Sequence, residues 1–269
     1  MSIPYVPLDG RDWRFTMGLR PLNVAKWLEF DEHVDDELAL KTQLLRERYD
    51  DVVATLPGSE EAAAELVREL TANLESYHPT RSRAISDEHP IVAASRLVQE
   101  DLCLLERRDA WRLSAACVCF PSRWSLASKL GATLDEIHGP VPGYDDALAG
   151  PTNAFFDRLG AERSYWRLNW TLLDSPVLHQ PRGARRPPSG ALSDWFFRVE
   201  RQTLRRLARS GAVVFTIRTY VAPATTLVRE HPDFGEHLWR ALASAPPAVQ
   251  DYKGWRGVAD RLADALRSG

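Results

Sequence analysis

Four apolar, strand-like segments occupy the middle of the chain, and helix-like segments lie on both sides of them. The strand-like segments are 111–120, 165–173, 195–200 and 212–220. β-branched and aromatic residues, which suit a pleated sheet, fill the last segment after Gly211. An open α/β sheet would need regular alternation of strands and helices, which this order lacks. The predicted fold is therefore α+β, with an antiparallel sheet and flanking helices.

Helical patterns precede, interrupt and follow the strand-like segments. One predicted helix spans 35–56, and a second ends near residue 77. A third begins near Pro90 and carries Leu102. Shorter helices are expected after Arg123, over 144–159 and from residue 225 onward. We expect a single domain over 1–269, made of a mainly helical extension (1–100), a sheet core (101–220) and C-terminal helices (221–269).

The composition argues against several classes of protein. With 44% hydrophobic and 26% charged residues the chain is balanced like a globular protein, and its net charge of −3 does not suggest a nucleic-acid surface. It has no signal-like N-terminus and no run of about 18 apolar residues, so we expect a cytoplasmic protein without membrane contact. No P-loop or dinucleotide glycine signature occurs, so any redox activity would need electrons from another protein.

One histidine lies in a segment of restricted backbone. His138 is set in the sequence Ile137-His138-Gly139-Pro140-Val141-Pro142, where two prolines and a glycine limit the conformations after the imidazole. A histidine held in this way can be aimed at a metal with little loss of entropy, which suits an axial ligand. A structural histidine explains the same residues, and on pattern alone it is the commoner case.

Two strand-like segments carry polar residues at alternating positions. Arg167 and Asn169 share one face of their strand, and Arg198 and Glu200 share one face of theirs. Because both strands are otherwise apolar, these side chains need partners wherever their face is covered. One interpretation is a structural Arg–Glu pair or a solvated face. The other is a cavity lined by charge, in which Glu200 moves protons.

Further residues are candidates of lower rank. The three cysteines, Cys103, Cys117 and Cys119, are expected to be small buried side chains and not ligands. Lys129 and Glu136 are expected to face solvent. Tryptophans could wall a flat cofactor or simply fill the core. The basic loop at 182–186 is expected to be a surface excursion that could dock an acidic partner protein.

Several short motifs together resemble one protein family. They are Cys119-Phe120-Pro121-Ser122-x-Trp124, Lys129-x-Gly131, Ile137-His138-x-Pro140-Val141-Pro142, Arg167-x-Asn169-Trp170, Arg198-x-Glu200-Arg201-Gln202-Thr203-Leu204 and Phe215-Thr216-Ile217-Arg218. Their order resembles the haem-dependent oxidative N-demethylases, which include the haem-bearing subunit of bacterial dimethylamine monooxygenase. The resemblance extends over roughly 17–220. One departure is Ala208, near which a proline would be expected.

The resemblance implies a fold, a cofactor and site residues. The implied fold is a PAS-like α+β domain that holds haem b against its sheet. The implied axial ligand of the haem iron is His138, and Glu200 and Arg198 become candidate catalytic residues. Arg167, Asn169 and Arg218 become candidate cofactor-binding residues.

The resemblance also implies an activity. The chain would be a haem-dependent monooxygenase component that uses O2 to remove a methyl group from a small secondary amine, with release of formaldehyde. Electrons would come from NADPH through a separate flavin and iron–sulfur reductase. The alternative is a non-catalytic PAS-like haem protein, either a gas or redox sensor or a haem carrier. A third interpretation is a family member that has lost haem and binds another ligand.

Overall fold

The computed structural model describes residues 3–81, 85–181 and 188–268. Within these residues one antiparallel sheet contains seven strands: β1 (Arg20–Pro21), β2 (Val53–Thr55), β3 (Asp101–Arg107), β4 (Trp111–Cys117), β5 (Ser164–Leu173), β6 (Phe196–Arg206) and β7 (Val213–Pro223). Their order across the sheet is β1-β5-β6-β7-β3-β4-β2. The basic loop predicted at 182–186 lies outside the described residues.

The described residues also contain ten α-helices. They are α1 (Val34–Glu47), α2 (Tyr49–Val52), α3 (Glu60–Tyr77), α4 (Pro90–Ser95), α5 (Leu134–His138), α6 (Gly150–Arg158), α7 (Ala224–Glu230), α8 (Phe234–Ser244), α9 (Pro247–Lys253) and α10 (Val258–Ser268). A π-helical turn, Asp145–Ala149, leads into α6. Among the described residues, no helix combines the length and the apolar character that crossing a bilayer requires.

The two faces of the sheet are covered by different helices. On one face, which we call the helical face, Leu102 and Val214 pack with Leu66 of α3, and Phe197 packs with Phe234 of α8. The N-terminal and C-terminal helices therefore share this face. The opposite face, which we call the site face, packs instead against α5 and α6, the helices inserted between β4 and β5.

The α+β prediction is confirmed. The five longest strands lie side by side in the order β4-β3-β7-β6-β5, with every neighbouring pair antiparallel. In chain order these are the second, first, fifth, fourth and third long strands, which is the order of a PAS-like sheet. The β6–β7 pairing runs from Phe196 opposite Pro223 to Arg206 opposite Val213.

Three local predictions are wrong. The helix predicted over 35–56 stops earlier, and Val53–Thr55 forms a short strand because its backbone pairs with the outer edge of β4. The third helix ends at Ser95, and Leu102 lies in β3, whose apolar residues are buried between two neighbouring strands. Turns, not a helix, follow Arg123.

Candidate functional site

The register of the sheet brings four of the six predicted site residues together on the site face. Asn169 of β5 lies directly opposite Glu200 of β6, and Arg167 lies opposite Gln202. Arg198 precedes Glu200 by two residues and therefore shares its face. The alternation read from the sequence is thus correct, and the antiparallel pairing turns two separate polar strands into one cluster.

Three hydrogen-bond donors converge on the Glu200 carboxylate. Arg198 Nε donates to Oε1 at 3.3 Å, while the side-chain amides of Asn169 and Gln202 donate to Oε2 at 3.2 and 3.1 Å. The Glu200 side chain is 12% exposed. A carboxylate has about four acceptor positions, so one remains available to a further donor on the site face.

Arg198 makes four hydrogen bonds to the protein. Its side chain is 1% exposed. Besides Glu200, it donates to the carbonyl of Phe120 at 2.5 Å, to the carbonyl of Leu178 at 3.3 Å and to the hydroxyl of Thr219 at 3.1 Å. An Arg–Glu pair, one of the two interpretations open at the sequence level, is therefore present. Since four of its five N–H donors are used in these bonds, Arg198 can fix the position of Glu200 but has little capacity left to bind a ligand.

His138 is the last residue of α5, and the helix aims its ring. A capping box between Thr133 and Glu136 starts this short helix. The Nδ1 of His138 lies 2.8 Å from the Leu134 carbonyl, and the ring stacks on Tyr144 with centroids 4.8 Å apart. Nδ1 is therefore the protonated nitrogen, and Nε2 carries the lone pair. This hydrogen bond and this stacking orient the ring. From the sequence, the prolines that follow the histidine were expected to do so.

Burial lowers the pKa of His138 below its usual range, and the positive charges of Arg167 and Lys129 lower it further. The ring is consequently neutral near neutral pH, the form in which an imidazole binds a metal. The charge of Arg167 in β5 is therefore close enough to His138 to act on the pKa of its imidazole. An electrostatic interaction thus connects His138, at the end of α5, with Arg167 in the middle of β5.

Arg167 has an unsatisfied buried nitrogen. Its Nε is buried and has no hydrogen-bond partner within the described residues. Burial lowers the pKa of the guanidinium, and the nearby Glu200 carboxylate opposes that effect. Arginine stays protonated in proteins, so this buried and unused Nε–H can donate to an anionic partner.

Arg218, the sixth predicted site residue, lies on the helical face. It lies opposite Arg201 in the β6–β7 pairing, next to the pair formed by Glu200 and Thr219. Because neighbouring residues of a strand point to opposite faces, Arg218 points away from the site face. Its guanidinium pairs with Asp31 at 2.5 Å and with Glu37 at 2.8 Å. Both acids also line a cavity of about 930 Å³. The structure therefore does not bring Arg218 to the other predicted residues.

Replacing Arg218 by methionine is expected to lower the free energy of unfolding by about 3–5 kcal/mol, because the Glu37 carboxylate stays buried without its countercharge. Urea denaturation measures this loss. Arg267→Met, which breaks the exposed pair with Asp264, is the control and should change stability very little. If Arg218 instead serves the cofactor, its variant would keep its stability and lose haem affinity.

Several contributing residues were not predicted from the sequence. Gln202 and Thr219 share the alternation of the cluster, which could have identified them. Lys253, from α9, donates to Asn169, and no local pattern pointed to it. Lys129, predicted to face solvent, donates to the Ile137 carbonyl at 2.9 Å. The three cysteines are buried and free, as predicted.

These features define a class of protein. It is an α+β protein whose site face presents a neutral, oriented imidazole, a partly buried arginine with an unused buried Nε–H and a hydrogen-bonded carboxylate. One imidazole ligand with a cation nearby fits haem, which needs an axial nitrogen for its iron and a partner for its carboxylate side chains. Among the described residues no group of three or more histidine, cysteine or carboxylate side chains could hold a bare metal ion.

Residues 18–263 match the model of the family described as haem-dependent oxidative N-demethylase, alpha subunit-like. The chain belongs to this family, which confirms the resemblance found in the sequence. The matched region contains all six predicted site residues and extends well past 220, where the motifs ended. The family's description indicates dependence on haem and membership of a larger assembly of subunits.

Proposed function

We propose that this protein is the haem-bearing component of an oxidative N-demethylase that acts on a small secondary amine and releases formaldehyde. The observation that carries the proposal is the neutral, oriented His138 imidazole together with the unsatisfied Nε of Arg167, whose charge acts on the pKa of His138. These two groups match the two needs of haem b, an axial nitrogen and a countercharge. The family match supports the reaction type.

In this proposal each residue of the cluster has a distinct task. His138 Nε2 would bind the iron, while the Leu134 carbonyl holds the ring in its tautomer. Arg167 would pair with a haem carboxylate through its unused Nε. Asn169 would complete the polar wall beside the cofactor. When bound, haem supplies the activation of O2 that an N-methyl oxidation requires.

The carboxylate of Glu200 would handle protons and the amine. Its one open acceptor position can receive an N–H from a substrate amine, and its three protein donors keep it in place. Arg198 acts through Glu200 and is a positioning residue in this scheme. Loss of a proton from the amine before oxidation is the step that a fixed carboxylate can assist.

Electrons would come from NADPH through a separate flavin and iron–sulfur reductase. The chain has no dinucleotide signature of its own, and the family's description as an alpha subunit is compatible with a partner. The basic loop at 182–186 is our candidate for docking this partner, on the basis of its charge in the sequence alone.

Reconstitution tests the proposal. The protein loaded with haem should not be reduced by NADPH alone, and adding a flavin and iron–sulfur reductase should restore reduction and make dimethylamine release formaldehyde. Direct reduction by NADPH would refute the proposed electron supply. If the reductase reduces the haem and no secondary methylamine yields formaldehyde, the demethylase proposal fails and a non-catalytic haem sensor or carrier becomes the better interpretation.

A further inference from the structure

We propose that Lys253, in the C-terminal helices, is a positioning residue for Glu200 and acts through the carboxamide of Asn169. The inference deepens the proposed function, on which its catalytic part rests. Its structural part concerns only the chain's own residues. Lys253 belongs to a different region of the chain from every predicted site residue, so the local motifs gave no sign of it.

The fold brings Lys253 to the edge of β5. Strand β1 pairs with β5 only at Tyr165 and Trp166, so the later residues of β5 are not paired with it. Here α9 ends in Gly254, whose left-handed conformation (φ 70°) turns the chain back toward the sheet. The next residue, Trp255, is 2% exposed and stacks on Trp170 with centroids 4.6 Å apart. Trp170 is the residue after Asn169 in β5, and Trp255 is two residues after Lys253. This stacking therefore holds Lys253 close to the polar cluster.

Two oxygens of β5 accept hydrogen bonds from Lys253. Its Nζ lies 3.2 Å from the carbonyl of Trp170 and 3.4 Å from Oδ1 of Asn169. The same ammonium group lies 5.5 Å from the centroid of the Trp255 ring. A cation with three such neighbours in one small region is restricted in position. Its charge is thus directed to the oxygen side of the Asn169 carboxamide.

The Lys253 contact fixes which way round the Asn169 amide lies. Its Oδ1 accepts from Lys253, and its Nδ2 donates to Glu200 at 3.2 Å. The flipped amide would set an N–H₂ group against the ammonium and a carbonyl oxygen against the carboxylate, and both contacts would be repulsive. Without Lys253 only the unfavourable contact between the flipped carbonyl oxygen and the Glu200 carboxylate remains. Glu200 would then lose a dependable donor on Oε2, and its carboxylate could rotate.

The structural part can be tested without activity. Lys253→Met removes the charge and keeps the length of the side chain, Lys253→Arg keeps a donor, and Arg256→Gln is the control. Arg256 lies in the same turn but pairs with Asp251 at the exposed surface. The readout is the ¹⁵N–¹H signals of the Asn169 side-chain amide in the full chain without added haem, assigned from their absence in Asn169→Asp.

We expect the Asn169 amide signals to shift or broaden in Lys253→Met and to stay near their wild-type positions in Lys253→Arg and Arg256→Gln. In the loaded enzyme Lys253→Met should lower kcat about tenfold with KM changed less than about twofold, because a displaced Glu200 slows the chemical step more than binding. Lys253→Arg should recover most of that loss, and melting temperatures identify any variant that has merely lost stability.

The outcomes separate the two proposals. Asn169 signals that do not respond to Lys253→Met would overturn the positioning inference, whatever the activity. A response in Lys253→Arg as large as in Lys253→Met would overturn it too, since a donor would then be irrelevant. If the signals respond as expected but the wild-type enzyme forms no formaldehyde, the positioning of Asn169 stands and the demethylase function fails.

Discussion

Replacing His138 by alanine is expected to abolish the absorption spectrum of histidine-ligated haem in the protein supplied with haem. The ring is neutral, its Nδ1 is committed to the Leu134 carbonyl, and its Nε2 is the nitrogen left to bind iron. No neighbouring side chain on α5 can replace that nitrogen. The Soret band of the wild type and the variant, together with haem retention on gel filtration, measures the loss.

Two controls make this result specific. His179 is the matched control, because its Nδ1 also lies 2.8 Å from a carbonyl oxygen, that of Cys119. Its Nε2 is buried without a partner among the described residues. His179→Ala should keep the spectrum. His138→Gly with added imidazole should regain it, because free imidazole can enter the vacated space. An unchanged spectrum in His138→Ala would move the ligand elsewhere, with His179 and His231 to be tested next.

Much of the site face follows from alternation along single strands. Arg167 and Asn169, and likewise Arg198 and Glu200, can be assigned to common faces because the side chains of a strand alternate with period two. That the two pairs meet depends on the register between β5 and β6, which sets Asn169 opposite Glu200. Asn169 and Glu200 are 31 residues apart in the sequence, and the register that pairs them cannot be predicted from the pattern of either strand alone. The cluster is therefore only half predictable from the sequence.

Arg218 shows where this kind of reasoning ends. The motif that contains it is strand-like, and the sequence offers no sign of which face its arginine occupies until the partner strand is known. The structure pairs Arg218 with Asp31 and Glu37, which lie in the N-terminal part of the chain. A buried arginine in a family motif is thus paired with carboxylates of the N-terminal part of the chain and not with the other predicted site residues. Lys253 is the converse case, a contact from distant helices that local patterns could not predict.

The local errors in the fold have similar causes. Val53–Thr55 continues a helical pattern, and only the exposed edge of β4 makes it a strand. The apolar run in Asp101–Arg107 suits a buried helix as well as a buried strand. Tertiary pairing decides such ambiguous segments. By contrast, the second predicted helix ends at Tyr77, where its pattern indicated, and it spans Glu60–Tyr77.

Glu200→Gln is expected to keep haem and fold while slowing turnover by about 10²-fold, because an amide cannot take up a proton as a carboxylate can. The substitution preserves the shape of the side chain and one acceptor oxygen. That oxygen can accept either from Arg198 or from the amides of Asn169 and Gln202, so the rate per haem, and not stability alone, is the diagnostic result. The rate of formaldehyde release per haem, measured on the reconstituted enzyme, gives the effect.

The contrary interpretation, a purely structural Arg198–Glu200 pair, makes the opposite prediction for the same protein sample. It requires a lower melting temperature and an almost unchanged rate per folded molecule. Glu37→Gln is the matched comparison, since Glu37 also pairs with a buried arginine, Arg218, but on the helical face. That variant should lose stability and keep its rate. If Glu200→Gln behaves like Glu37→Gln, then Glu200 contributes to folding alone, and the proton transfer must be assigned to another group on the site face.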